Sequence, residues 1–241
     1  MQETTKKTTD QFLNKKFIIT SIIVLLVIPL CLVMGVTLWE DRRYNILSLI
    51  IVILGCIPFI ISFERKKPKP REILIIAVMS AIAVAGRAAF VWAPAFKPVT
   101  AIVAITGFAF GPSAGFLTGA STAVASNVLF GQGPWTPFQM FTWGLLGYIA
   151  GILGKSGWMD RKIPLIVYGL FSGILFSLIM DIWTVISYDG AFTWRRYLAA
   201  AGTAIPYTAM YAISNIIFLL ILARPIGEKL SRIKIKYGLL E

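Results

Sequence analysis

The chain has 241 residues, 57% of them hydrophobic and 14% charged, where an ordinary soluble domain carries about 25% charged residues. Several apolar runs reach the roughly 18–20 residues that cross a bilayer, so a soluble fold is excluded. The net charge of +12 sits in short segments between those runs, which is how membrane proteins are oriented and argues against a nucleic-acid partner. The absence of His removes the commonest metal ligand and general base.

In chain order, the first apolar run, 17–38, follows Lys15 and Lys16. It is too long for a signal-peptide core and no small-residue cleavage site follows it, so it reads as a retained helix. A second run, 46–63, completes a hairpin. Cys31 and Cys56 lie in separate runs and indicate neither a disulfide framework nor a zinc site. The segment "FERKKPKPRE", with its bases and two prolines, reads as an exposed cytoplasmic linker. The chain thus divides into 1–63 (cytoplasmic tail and accessory hairpin), 64–72 (linker), 73–225 (six helices rich in Gly, Ala, Trp, Asn and Pro) and 226–241 (basic cytoplasmic tail). The six later spans are 73–92, 98–111, 113–130, 138–154, 163–187 and 204–223.

Residues 98–130 are apolar throughout but broken at Gly111-Pro112. One helix there would be about 48 Å long against a hydrocarbon core of about 30 Å. Two helices put both termini in the cytoplasm, with seventeen Lys and Arg on the inner side, five on the outer side (Arg42, Arg43, Lys97, Arg195 and Arg196) and Arg87 within a span. One helix would split them eleven to eleven. The positive-inside rule therefore favours an all-α, polytopic bundle of six helices plus two N-terminal ones.

Small residues recur at i, i+4 in Gly107/Gly111, Gly115/Gly119, Gly147/Gly151 and Gly169/Gly173, and in the stripe Ala77, Ala81, Ala85 and Ala89. Such stripes let another helix approach closely. The glycine pairs suit packing within the bundle; the alanine row suits either the bundle or another membrane subunit.

Arg87 and Asp181 are charges within apolar spans, each costing about 2.5–3.5 kcal/mol near mid-bilayer on insertion scales. Both fall near the outer ends of their helices. Two readings stand: a charge pair tying two helices, or groups lining an outward-facing pocket. Asn127 and Asn215 add neutral polar positions. Aromatic residues gather on the outer side, among them Trp92, Trp135, Trp143, Tyr188, Tyr207 and Tyr211, which suggests an aromatic-lined outer site for an organic ligand.

The stretch "LFGQGPWTPFQM" (129–140) is uncharged and holds two Gly, two Pro, Trp135, Gln132 and Gln139. Its composition suits a stiff gate over an amide-rich ligand. "GILGKS" at 151–156 is no phosphate loop, because Ile149 stands where the first Gly is required and the segment ends a membrane helix. With no ATPase motif and no His for a catalytic triad, an intramembrane enzyme is not indicated.

From Glu72 onward these features resemble the substrate-binding S components of energy-coupling factor (ECF) vitamin transporters. The resemblance rests on the six-helix unit, the Ala77/Ala81/Ala85 row, and "AVAGRAAF…KPVTAIVAITGFAFGPSAGFLTGA…SNVLFGQGPWTPFQM", which is similar to the cobalamin-linked, CbrT-like branch. It implies a multi-pass protein of the bacterial cell membrane that hydrolyses no ATP and carries no covalent cofactor. It would bind a vitamin at the outer face, cobalamin foremost and riboflavin as the alternative, and reorient on a membrane coupling subunit driven by two ATPase subunits. The alanine row with Ala89 would meet the coupling subunit, and loops 93–98, 131–138 and 188–203 would cover the site. Expected binding residues are Arg87, Trp92, Asn127, Gln132, Trp135, Gln139, Trp143, Asp181, Tyr188, Tyr207, Tyr211 and Asn215. A stand-alone secondary transporter is the rival reading.

Overall fold

The computed structural model describes Cys56, residues 70–154 and residues 156–238. The predicted spans 17–38 and 46–63, apart from Cys56, lie outside the described residues, as do both termini and nearly all of the linker. Six α-helices follow in order: α1 (Pro70–Ala89), α2 (Val99–Phe110), α3 (Pro112–Phe130), α4 (Thr136–Gly154), α5 (Lys162–Asp189) and α6 (Trp194–Tyr237), with a short 3-10 turn at Trp158–Asp160 before α5. No strand occurs among the described residues. By length and composition α1, α5 and α6 are able to cross a membrane, and α2 is a shorter apolar helix.

The break at Gly111-Pro112 is real. Gly111 takes φ 89°, a left-side conformation open to glycine, and Pro112 starts α3 at its first turn, where its missing N–H costs nothing. α2 is the centre of the bundle: of its twelve residues only Ala109 escapes burial. It packs on α1, α3, α4 and α6, while α3 pairs with α4 and α5 with α6.

The glycine pairs make these approaches possible. A methyl group at Gly115 would overlap the Gly147 carbonyl, one at Gly107 the same carbonyl, one at Gly151 the backbone of Pro112, and one at Gly173 the backbone of Ala212. These faces are therefore consumed inside the bundle; Gly111 alone serves as a joint. Thr106, Thr122 and Thr142 donate to carbonyls four residues back, which satisfies their hydroxyls without a partner helix.

α1 behaves differently. Ile76, Met79, Ser80 and Ala83 are buried, whereas Ala77, Ala81, Ala85 and Ala89 are all exposed. The alanine row thus faces away from this chain's own bundle.

α6 begins ten residues before the predicted span and continues to Tyr237, with Pro206 and Pro225 inside it. Thr193 caps it by accepting from the Arg196 N–H. Proline reads as a boundary in sequence, yet neighbouring helices and side chains make it tolerable in membrane helices. Only residues 190–193 separate α5 from α6, and only 131–135 separate α3 from α4, so both connections are shorter than the sequence suggests.

Candidate functional site

At the end of the bundle that carries the connections 90–98, 131–135 and 190–193, a polar network crosses three elements. Arg87, near the end of α1, donates through one terminal nitrogen to Ser126 Oγ and, at 2.8 Å, to Asn127 Oδ1 on α3. The Asn127 amide nitrogen then donates to Thr136 Oγ1 (2.9 Å) and to Gln139 Oε1 (2.8 Å) on α4. Thr136 donates in turn to Gln132 Oε1 (2.9 Å), and Gln132 closes the chain on the Val124 carbonyl. Asn127 is wholly buried, and an amide that satisfies acceptors and donors on both sides is the economical way to hold polarity there.

Aromatic rings complete the setting. The Arg87 guanidinium lies 5.0 Å from the Phe130 ring centroid and 5.6 Å from that of Trp143, contacts favourable for a desolvated cation. Trp143 stacks on Phe176 of α5 at 5.6 Å, and Phe176 meets Tyr211 of α6 edge-on at 4.9 Å. Tyr211 lies within electrostatic reach of both Arg87 and Asp181.

Of the two readings for Arg87 and Asp181, the charge pair is not formed: no ion pair joins them. Arg87 finds neutral acceptors instead, and Asp181 is buried at 9% exposure with Oδ2 lacking a hydrogen-bond partner. Similar depth along two helices does not place two side chains on facing sides.

The structure thus gathers Arg87, Asn127, Gln132, Gln139, Trp143 and Tyr211, with Asp181 within electrostatic reach of Tyr211. Other expected residues lie elsewhere. Trp92 is 76% exposed, stacks on Phe90 and donates to the carbonyl of Ala89. Tyr188 is 84% exposed, and Tyr207 is also exposed. Trp135 folds its ring over Gly133 within its own connection. Asn215, though buried, donates to Ser172 at 3.0 Å and ties α6 to α5. Ser126, Phe130, Thr136 and Phe176 belong to the assembly and were not singled out by sequence. Each hydroxyl residue had one signal: Ser126 adjoins Asn127, and Thr136 lies inside the 129–140 stretch.

The 90–98 connection is fastened to α6. Ser214 Oγ accepts from the Lys97 N–H at 2.9 Å and donates to the Lys97 carbonyl at 3.1 Å. Ala95 holds φ 58° in this stretch, a conformation uncommon outside glycine. Partial burial, and then the charge of Arg87, push the Lys97 ammonium below its ordinary pKa. The 190–193 connection is bracketed by an exposed two-pronged ion pair, Arg196 to Asp189 at 2.6 Å on each arm.

A family model for the ECF-type riboflavin transporter S component matches residues 67–232. The chain belongs to this family. Comparison with curated proteins and with solved structures gave no match. Membership makes the chain a vitamin-binding membrane subunit of an ECF transporter, associated with the other subunits of that module. The S component accordingly has a transport role, and its apolar helices belong in a membrane.

Proposed function

We propose that this S component captures its vitamin at the end of the bundle that holds the Arg87–Asn127–Gln139 network, and that this end faces the cell exterior. The observation that carries the reading is the network itself: a cation, two amides and two hydroxyls threaded between α1, α3 and α4 and flanked by Trp143, Phe176 and Tyr211. Such a group of convergent polar atoms on aromatic walls is the usual make-up of a small-molecule site. The uneven distribution of Lys and Arg supports the orientation.

Cobalamin is the proposed cargo. Residues 129–140 resemble the cobalamin-linked branch, and neutral amides suit a ligand rich in amides: the Gln139 amide nitrogen makes no hydrogen bond among the described residues. Riboflavin is the second reading, favoured by the description of the matching family and by ring faces on which a flat heterocycle stacks. The exposed row Ala77, Ala81, Ala85 and Ala89 serves as the docking face for the coupling subunit, whose two ATPase partners supply the energy; the bound protein hands over its cargo by reorienting on that subunit.

The test is equilibrium binding of cyanocobalamin and of riboflavin to the purified protein, followed by uptake into liposomes. Submicromolar binding of one vitamin, with uptake only when coupling and ATPase subunits are present, supports the proposal. Uptake by this chain alone would establish a secondary transporter instead.

A further inference from the structure

Asp181 stands out among the buried polar groups. It lies on α5, one turn beyond Ser177, whose hydroxyl is engaged by Thr208 of α6 at 2.6 Å. Asp181 is more than nine-tenths buried, and its Oδ2 has no hydrogen-bond partner. Several donors of α1 and α6 are engaged elsewhere. The Tyr197 hydroxyl donates to the Leu178 carbonyl at 3.1 Å, and Arg196 is held by Asp189. Arg87 is held by Ser126 and Asn127. A buried carboxylate oxygen without a donor is unfavourable and is the kind of group that a native structure keeps for a reason. In a membrane helix an ionisable residue of this kind belongs to a ligand or ion path by default.

We propose that Asp181 is the hydrogen-bond acceptor for an N–H or O–H group of the bound vitamin. The inference rests on the vitamin-binding reading above and adds the polarity of the site. Arg87 with its amides forms one polar group and the Asp181 carboxylate another, while the Trp143, Phe176 and Tyr211 rings touch in sequence and Tyr211 lies within electrostatic reach of both charges. The ligand class this selects is a ring-bearing molecule with carbonyl oxygens toward one side and amide, imide or hydroxyl hydrogens toward the other. A site with a built acceptor rejects analogues that lack the donor far more strongly than it rejects changes in apolar size.

The test pairs a protein change with a ligand change. Asp181→Leu keeps a similar volume and removes both acceptor oxygens, and its assembly with the ECF module and its thermal midpoint report folding. Binding of cyanocobalamin and of riboflavin is measured for the parent and the variant. The vitamin that the parent binds should bind Asp181→Leu about tenfold or more weakly. For riboflavin, the parent should also disfavour the N3-methyl derivative about tenfold, and Asp181→Leu should treat the two alike; for cyanocobalamin, an amide-to-carboxylate derivative takes the place of the methylated ring. Parent-like affinity in Asp181→Leu, or equal ligand discrimination in both proteins, overturns the role of Asp181 alone. Failure of the parent to bind either vitamin overturns the cargo reading and this role together.

Discussion

Arg87 is bonded to Asn127, 2.8 Å away on α3, and not to the opposite charge on α5. The amide of Asn127 then relays polarity to Thr136 and Gln139, so one side chain couples α1, α3 and α4. Asn127→Ala should leave three groups short of a partner. The expected cost is about 1–3 kcal/mol, read as a lower thermal midpoint in detergent, together with weaker vitamin binding. A variant with the parent's midpoint and affinity would show that the network is incidental.

The close backbone approach of α3 to α4 yields a paired prediction. Gly115→Ala should place a methyl group against the Gly147 carbonyl and lower stability by about 1–3 kcal/mol, the range for overpacking. Gly202→Ala, on α6 with open space around it, should be neutral or stabilising by up to about 1 kcal/mol, the gain expected in a helix interior. Thermal unfolding of the two variants side by side checks the contrast.

On α1, the double change Ala81→Leu and Ala85→Leu introduces bulk on an exposed row. It should abolish recovery of the complex with the coupling subunit while vitamin binding by the isolated protein stays within about twofold of the parent. Intact assembly would remove the row from the docking face.

Trp135 covers Gly133 in the 131–135 connection. Trp135→Ala should loosen that connection, raise the dissociation rate of the bound vitamin and leave assembly intact. Stopped-flow release of the vitamin is the measurement; an unchanged rate would make the segment a simple turn.

Lys97 gives a pH signature. Its ammonium is held below the ordinary lysine value by partial burial and by Arg87, so the unfolded chain binds the extra proton more readily than the folded one. Stability therefore rises with pH from the lowered folded pKa up to about 10.4, the unfolded value. Lys97→Met should flatten that part of the stability profile, measured by thermal midpoints between neutral and alkaline pH. A profile identical to that of the parent would count against the effect.

The sequence made the helices from α1 to α5 legible because apolar length and loop charge are one-dimensional signals. The joint at Gly111-Pro112 was equally plain, since both residues oppose a continuous helix. The start and end of α6 were not, because Pro206 and Pro225 look like boundaries although the helix runs through both. At the site, Asn127 and Gln139 were visible as amides in apolar surroundings. Ser126 and Thr136 were not, because hydroxyls in such helices commonly bond their own backbone, as Thr122 and Thr142 do. Trp92 and Tyr188 were misleading for a related reason: an aromatic residue near a helix end says which zone it occupies but not which way it points.

α6 has 44 residues, which makes it about 66 Å long, while a bilayer with its headgroups measures about 40–45 Å. Upright, such a rod stands proud of the membrane by a third of its length. Its lower end is moored to the core, where Lys234 Nζ donates to the Ala109 carbonyl at 3.3 Å, and its upper half carries the Tyr211 ring. The basic end and the Tyr211 ring thus belong to one unbroken helix.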